Sequence, residues 1–126
     1  MFYDHLVKLL RELNVEGAQS LPRETSTITL EIGGTPIAIS DAPPGLELSA
    51  TLGEVPVENP GPLYTKLLRG NFLGQATKKA ALGLDTEAKN VVLSAAIPAI
   101  RSYREFRDTI EDFVNAVSFW KKEITT

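Results

Sequence analysis

The sequence predicts an α+β fold. It reads as a single domain over residues 1–126, in the order α-β-β-β-α-β-β-α, with an antiparallel twisted sheet packed against helices. Three observations predict this. Apolar residues recur at helical spacing near both ends of the chain. Between the ends, apolar and polar residues alternate in short runs broken by Gly33-Gly34, Pro43-Pro44-Gly45 and Asp85-Thr86, the pattern of hairpins. Strand and helix patterns never alternate one for one, as a parallel βαβ sheet requires.

The first helix spans residues 2–14. Phe2, Leu6, Leu9, Leu10 and Leu13 fall within about 100° of arc, and Asp4, Lys8, Arg11 and Glu12 cover the other side. Tyr3 and Val7 form a shoulder beside this stripe, and Gly17 ends the segment. In the next stretch Ile28, Leu30 and Ile32 alternate with Thr27, Thr29 and Glu31. Ile37 and Ile39 follow the Gly-Gly pair, whose turn needs positive φ. Leu46, Leu48, Ala50 and Leu52 then alternate after the break at 41–45. These are three antiparallel strands with one apolar and one polar face.

Residues 55–62 read as a loop with three prolines. A short helix follows, bracketed by Pro60 or Pro62 and by Gly70-Asn71. Leu63 and Leu67 point one way on it, while Tyr64, Leu68 and Phe72 widen the apolar arc to about half the cylinder. A helix of that kind is covered on two sides, and in a small domain one cover is a second subunit. A polar connector at 74–79 leads to a second hairpin, with Leu82 and Leu84 on one arm and Val91, Leu93 and Ala95 on the other, ended by Pro98. The last helix spans 99–124. Tyr103, Phe106, Ile110, Phe113, Val114, Val117, Trp120 and Ile124 lie within about 120°, with charged residues opposite.

Composition excludes several functions. There is no cysteine, so disulfides, thiolate zinc sites, thiol catalysis and iron–sulfur clusters are out. His5 is the single histidine, which excludes a histidine-built metal site within one subunit. No apolar run approaches the ~18–20 residues of a membrane helix. The N-terminus interleaves acids and bases without a small-residue cleavage site, so no signal peptide is expected. The net charge is −3. Residues 1–60 carry 9 acids and 3 bases, while residues 61–126 carry 7 acids and 10 bases. From Glu24 to Glu58 there are six acids and no base, a stretch that repels DNA and acidic lipid.

Catalytic constellations reduce to plainer readings. Asp108, Glu111 and Asp112 share the last helix with Arg104 and Arg107, as on a solvated, ion-paired face. His5 sits off the centre of its apolar stripe as a boundary residue, and one histidine cannot build a triad with a second base. Gly70-Asn71-Phe72-Leu73-Gly74 lacks the Gly-Lys-Ser/Thr ending of a phosphate loop. The two-sided second helix, the broad first-helix shoulder and the acidic strands point instead to a small dimer that binds a polypeptide.

These motifs resemble a known family. Leu67-Leu68-Arg69-Gly70-Asn71-Phe72 resembles the second-helix motif of class I type III secretion chaperones, the Tir-chaperone family. Leu82-Gly83-Leu84-Asp85, with Val91-Val92-Leu93-Ser94 and Pro98, is similar to their short hairpin. The end from Phe113 to Trp120 is similar to their last helix, and the element order matches theirs over essentially the whole chain. His5 and the arginine-rich last helix are neither demanded nor forbidden by that pattern. The resemblance implies a homodimer in the bacterial cytosol. It would bind an N-terminal segment of a secreted effector in extended form and keep it ready for export. It implies no cofactor, no reaction, and no nucleic-acid or membrane partner. The alternative is a small α+β enzyme subunit or a ligand-binding or sensory domain with its site at a dimer interface. An enzyme should show a deep pocket with at least two convergent titratable groups. The expected effector-binding residues are Tyr3, Val7, Leu10, Ile28, Leu30 and Ile37. The expected dimer-interface residues are Tyr64, Leu67, Leu68 and Phe72.

Overall fold

A computed structural model describes residues 2–15, 17, 20–73 and 80–125. The elements are α1 (Phe2–Glu12), β1 (Thr27–Ile32), β2 (Thr35–Ala42), β3 (Gly45–Glu54), α2 (Gly61–Leu73), β4 (Ala80–Leu84), β5 (Asn90–Ile97) and α3 (Tyr103–Thr125). The strands form one sheet in the order β1-β2-β3-β5-β4, every neighbouring pair antiparallel. The α+β order read from the sequence is the order observed.

Strand periodicity explains why the helices lie on one face. Leu30, Ile37, Ala50, Leu93 and Leu82 stand in register across all five strands, and all are buried. One residue away, Thr29, Ala38, Ser49, Ser94 and Ala81 form the matching row of the opposite face, none of them buried. Consecutive side chains point to opposite faces, so a one-residue slip would exchange the two rows. α3 covers the apolar face with Phe106, Ile110, Phe113, Val117 and Trp120, all 4% exposed or less. α1 adds Leu6, Leu9 and Leu10. Each such side chain contributes roughly 1.5–3 kcal/mol when fully buried. No helix among the described residues is long and apolar enough to cross a membrane.

The turns follow local chemistry. Gly33 and Gly34 both have positive φ, 62° and 83°, which joins β1 to β2 in two residues. β2 runs on to Ala42, which pairs with Gly45, so Pro43-Pro44, linked by a cis peptide, is itself the β2–β3 turn. In the turn after β4, Asp85 Oδ1 accepts hydrogen bonds from the backbone N–H groups of Lys89 and Asn90. The Asn90 side-chain amide donates to Oδ2. These bonds, the Asn90 amide foremost, hold the Asp85 carboxyl below its ordinary pKa.

Three helix ends differ from the sequence reading. α1 stops at Glu12, two residues before the expected end at Asn14. Asn14 takes φ 58°, the Val15 N–H donates to the Leu10 carbonyl and the Asn14 N–H to that of Arg11. This closes the helix with a left-handed asparagine in place of glycine. α2 continues through Gly70-Asn71 to Leu73, because neither residue need break a helix that packs on its neighbours. α3 starts at Tyr103, capped by the Ser102 hydroxyl, which accepts from the Glu105 N–H. Residues 99–101 before it stay outside the helix, and the Ile100 N–H donates to the Pro44 carbonyl. The expected connector at 74–79 lies outside the described residues.

That contact brings the β2–β3 turn against the chain leaving β5. A Cβ on Gly45 would overlap the Ile97 carbonyl oxygen, an unyielding backbone atom. Gly45→Ala is therefore expected to cost about 3 kcal/mol or more, as overpacking against backbone does. Urea unfolding of the variant checks this, and a midpoint near that of the parent protein would contradict the packing described.

Candidate functional site

The surface divides between the two ends of α3. At its N-terminal end, α1 crosses the helix. Phe2 meets Phe106 edge-on at 6.2 Å between ring centroids, and His5 lies 5.4 Å from Phe106 and 6.0 Å from Tyr103. The Tyr103 hydroxyl donates to Glu12 Oε2 at 2.7 Å, while the Lys8 ammonium stands 4.5 Å from the Tyr103 ring centre. Burial and then the Glu12 hydrogen bond push the Tyr103 pKa up to about 12. His5, Lys8 and Glu12 thus form a polar stripe on α1 that holds one tyrosine.

Beside this cluster is a cavity of about 250 Å³ between the starts of α1 and α3 and the β2–β3 turn. Phe2, Pro43, Pro44, Leu46, Ile100 and Phe106 supply apolar walls, and His5 and Asp41 are its titratable groups. His5 Nε2 is buried with no hydrogen-bond partner among the described residues. The two groups make no hydrogen bond to each other, and the lining carries no hydroxyl, thiol or amine nucleophile. Sequence reasoning placed His5 at a boundary, where it is, but missed the cavity. The cavity forms from segments distant in the chain. The one sequence signal was Asp41, a carboxylate at an apolar-face position of β2, in step with Ile37 and Ile39.

The expected effector-binding residues separate into two groups. Tyr3, Val7 and Ile28 are half-buried. Tyr3 donates its hydroxyl to the Leu21 carbonyl at 2.8 Å, and the Arg23 guanidinium lies over its ring, so it also pins the segment before β1. Ile28 lies on β1, a strand with a neighbour on one side only, and packs with Ile32 at the margin of the core. Leu10, Leu30 and Ile37 are buried, at 2%, 9% and 0% exposure, and belong to the chain's own core. By helical spacing Leu10 lies at the edge of the apolar stripe, next to Tyr3, yet its side chain is covered. With α1 ending at Glu12, Leu13 is left 45% exposed beyond the helix.

At the other end of α3, α2 presents two sides. Leu63 and Leu67 are buried, so Leu67, expected at an interface, packs inside its own chain. Leu68 is 71% exposed, and Tyr64 turns outward as well. The outer strand β4 adds the exposed Leu84, and the loop before α2 adds Val57. Lys66 Nζ donates to the Glu123 carbonyl at 2.7 Å, placing a cation at the C-terminal end of α3, where free carbonyls attract it. The Phe72 side chain lies outside what is described.

Helices over one face of a five-stranded antiparallel sheet, with edge strands and half-covered apolar surface at both ends, make this a small α+β domain. Residues 5–121 match the model of the Tir chaperone protein (CesT) family, and the chain belongs to that family. A Chlamydia pneumoniae protein whose name states no activity is 32% identical over 111 residues, covering 79% of this chain and 85% of its own. Among solved structures, a chain of the ExsC–ExsE complex superposes with a TM-score of 0.76 at 18% identity, covering 96% of this chain and 91% of that one. A chain of the HopA1–SchA chaperone–effector complex gives 0.70 at 16% identity, with 96% and 93% covered. A chain of the heterodimeric ExoU–SpcU complex from the type III secretion system of Pseudomonas aeruginosa gives 0.66 at 18% identity, with 98% and 94% covered. These three likenesses establish a shared fold.

The environment of His5 carries a pH dependence. Burial, aided by the positive amino terminus and Lys8 and opposed by Asp4, lowers its pKa below 6.5. The folded protein therefore takes up this proton at lower pH than the unfolded chain. Stability is unaffected by it above 6.5 and declines as pH falls below that value. Melting temperature is expected to drop between about pH 7 and pH 5.5, and His5→Gln is expected to flatten the drop. An equal drop in the variant would assign it to other groups.

Proposed function

We propose that this protein is a homodimeric chaperone of the bacterial cytosol that catalyses no reaction. It holds an N-terminal segment of a type III secreted effector in extended form and keeps it competent for export. The observation that carries the reading is half-covered apolar surface on α1 and on the edge strand β1, at Val7, Ile28 and Ile32. An extended segment can add its backbone to such an edge while alternate side chains reach apolar surface, which is the chemistry of strand addition. Membership of the Tir chaperone family supports the reading. So do the similar folds of a chain in the HopA1–SchA chaperone–effector complex and of one in a type III secretion system complex. The partner is a chain with no core of its own in that segment. Contacts along its length then offset the cost of ordering it.

Membership of a chaperone family supports the reading without a reaction. The cavity brings His5 and Asp41 between proline and aromatic walls, with no hydroxyl, thiol or amine in its lining. A second copy of the chain is the proposed cover for Tyr64, Leu68 and Leu84, since α2 and β4 expose apolar surface at one end of the sheet.

Two substitutions separate these roles. Val7→Asp places a charge on the half-covered margin, so the protein is expected to stay folded and dimeric but to lose the effector in co-purification from its own bacterium. A folded Val7→Asp that retains the effector would move the binding site elsewhere. Leu68→Asp is expected to weaken self-association at least tenfold, or about 1.4 kcal/mol, with helical content unchanged by circular dichroism. A full dimer at low micromolar concentration in sedimentation equilibrium would remove α2 from the interface.

A further inference from the structure

We propose that the cavity between α1, the β2–β3 turn and the start of α3 is a receptor for a single arginine side chain of the bound effector segment. Asp41 would pair with the guanidinium, and the rings of Phe2, His5 and Phe106 would flank it. The inference rests on the effector-binding reading and specifies what the segment must carry at one position.

Size sets the class of occupant. At about 250 Å³ the cavity is smaller than the ~300–1,000 Å³ typical of sites for whole small molecules, and it suits one side chain. Charge sets its sign. Asp41 is the one carboxylate in the lining, and no described cation pairs with it. It also lies within the base-free acidic run from Glu24 to Glu58. The burial that disfavours the charged form of His5 keeps that wall from repelling a cation. Shape selects arginine over lysine. A planar guanidinium stacks on aromatic faces, is less strongly hydrated than an ammonium, and pairs with a carboxylate through two parallel hydrogen bonds. A guanidinium already lies over a ring nearby, Arg23 over Tyr3.

Position favours a residue of an extended partner. Asp41 closes the far end of β2, and its N–H donates to the Ser26 carbonyl at the start of β1. The cavity therefore lies next to the end of the free edge strand, within reach of a segment running along it.

The test uses the full chain and two amides, arginine amide and norleucine amide. The two probes share a backbone but differ in charge and planarity. In a proton–nitrogen and aromatic NMR titration, arginine amide is expected to cause saturable shifts at Phe2, His5, Asp41 and Phe106 with a millimolar Kd that weakens with salt. Norleucine amide is expected to cause none there. Asp41→Asn should reduce the affinity at least tenfold, and Phe2→Leu, which keeps apolar volume but removes a ring face, should reduce it by less. Shifts from norleucine amide as large as those from arginine amide would make this an apolar-anchor pocket and overturn the proposal. So would the absence of saturable shifts from arginine amide. If Asp41→Asn does not fold, the two-probe comparison on the parent chain decides alone. Arginine binding without effector capture would count against the chaperone reading only. Effector capture without arginine binding would count against the cavity proposal only.

Discussion

The structure depends on the burial of one face of the sheet under α3. That helix spans the sheet with Phe106, Ile110, Phe113, Val117 and Trp120 against rows of buried aliphatic residues from the strands. Both shorter helices are then attached to its ends. α1 is fixed at the start through Phe106 and Tyr103, and α2 at the finish through the Lys66 bond to the Glu123 carbonyl. The two surfaces of interest lie at opposite ends of the domain because α3 separates the two helices that carry them.

Covering one face leaves the other to water, and its composition fits that role. Its rows are mostly small or hydroxylated residues, with Glu31 and Glu47 exposed among them and Pro36 and Val92 as the larger apolar members. Such a face offers few apolar anchors. Binding energy for a partner must therefore come mostly from the margins, where the apolar layer meets solvent at β1 and β4. An antiparallel sheet with helices on one side has two such margins, each with unpaired backbone groups along its edge strand. One is proposed to receive the effector and the other a second copy of the chain. A single protomer supplies both from the same layered plan.

Charge adds a preference to this arrangement. The acidic run falls on β1, β2, β3 and their flanks, next to the margin proposed for the effector. Most of its carboxylates are solvent-exposed, so their attraction for a basic segment is screened over about 10 Å at moderate salt. It steers and selects more than it tightens. Asp41 differs because it sits on the apolar side of the sheet in a cavity wall, where less water competes.

Much of the fold was legible in the sequence because hydrophobic period encodes which face is buried. The period-two runs placed all five strands, Gly33-Gly34 marked its turn, and the long stripe from Phe106 to Trp120 marked α3. The opposed sides of α2 could also be read, since Leu63 and Leu67 sit about 100° from Tyr64 and Leu68 on any helix. What periodicity could not supply was where α1 ends, because an asparagine in left-handed conformation caps a helix as glycine does. The two residues lost from the helix end leave Leu13 exposed, while Leu10, at the edge of the stripe, is buried in the core. The cavity was also beyond the sequence. Phe2, His5, Asp41, the Pro43-Pro44 turn and Phe106 come from separate parts of the chain. Only the tertiary structure brings them together, because Gly45 lets the β2–β3 turn close against the backbone at Ile97. Burial pattern is a local property of the chain, and a cavity depends on segments far apart in sequence meeting in space.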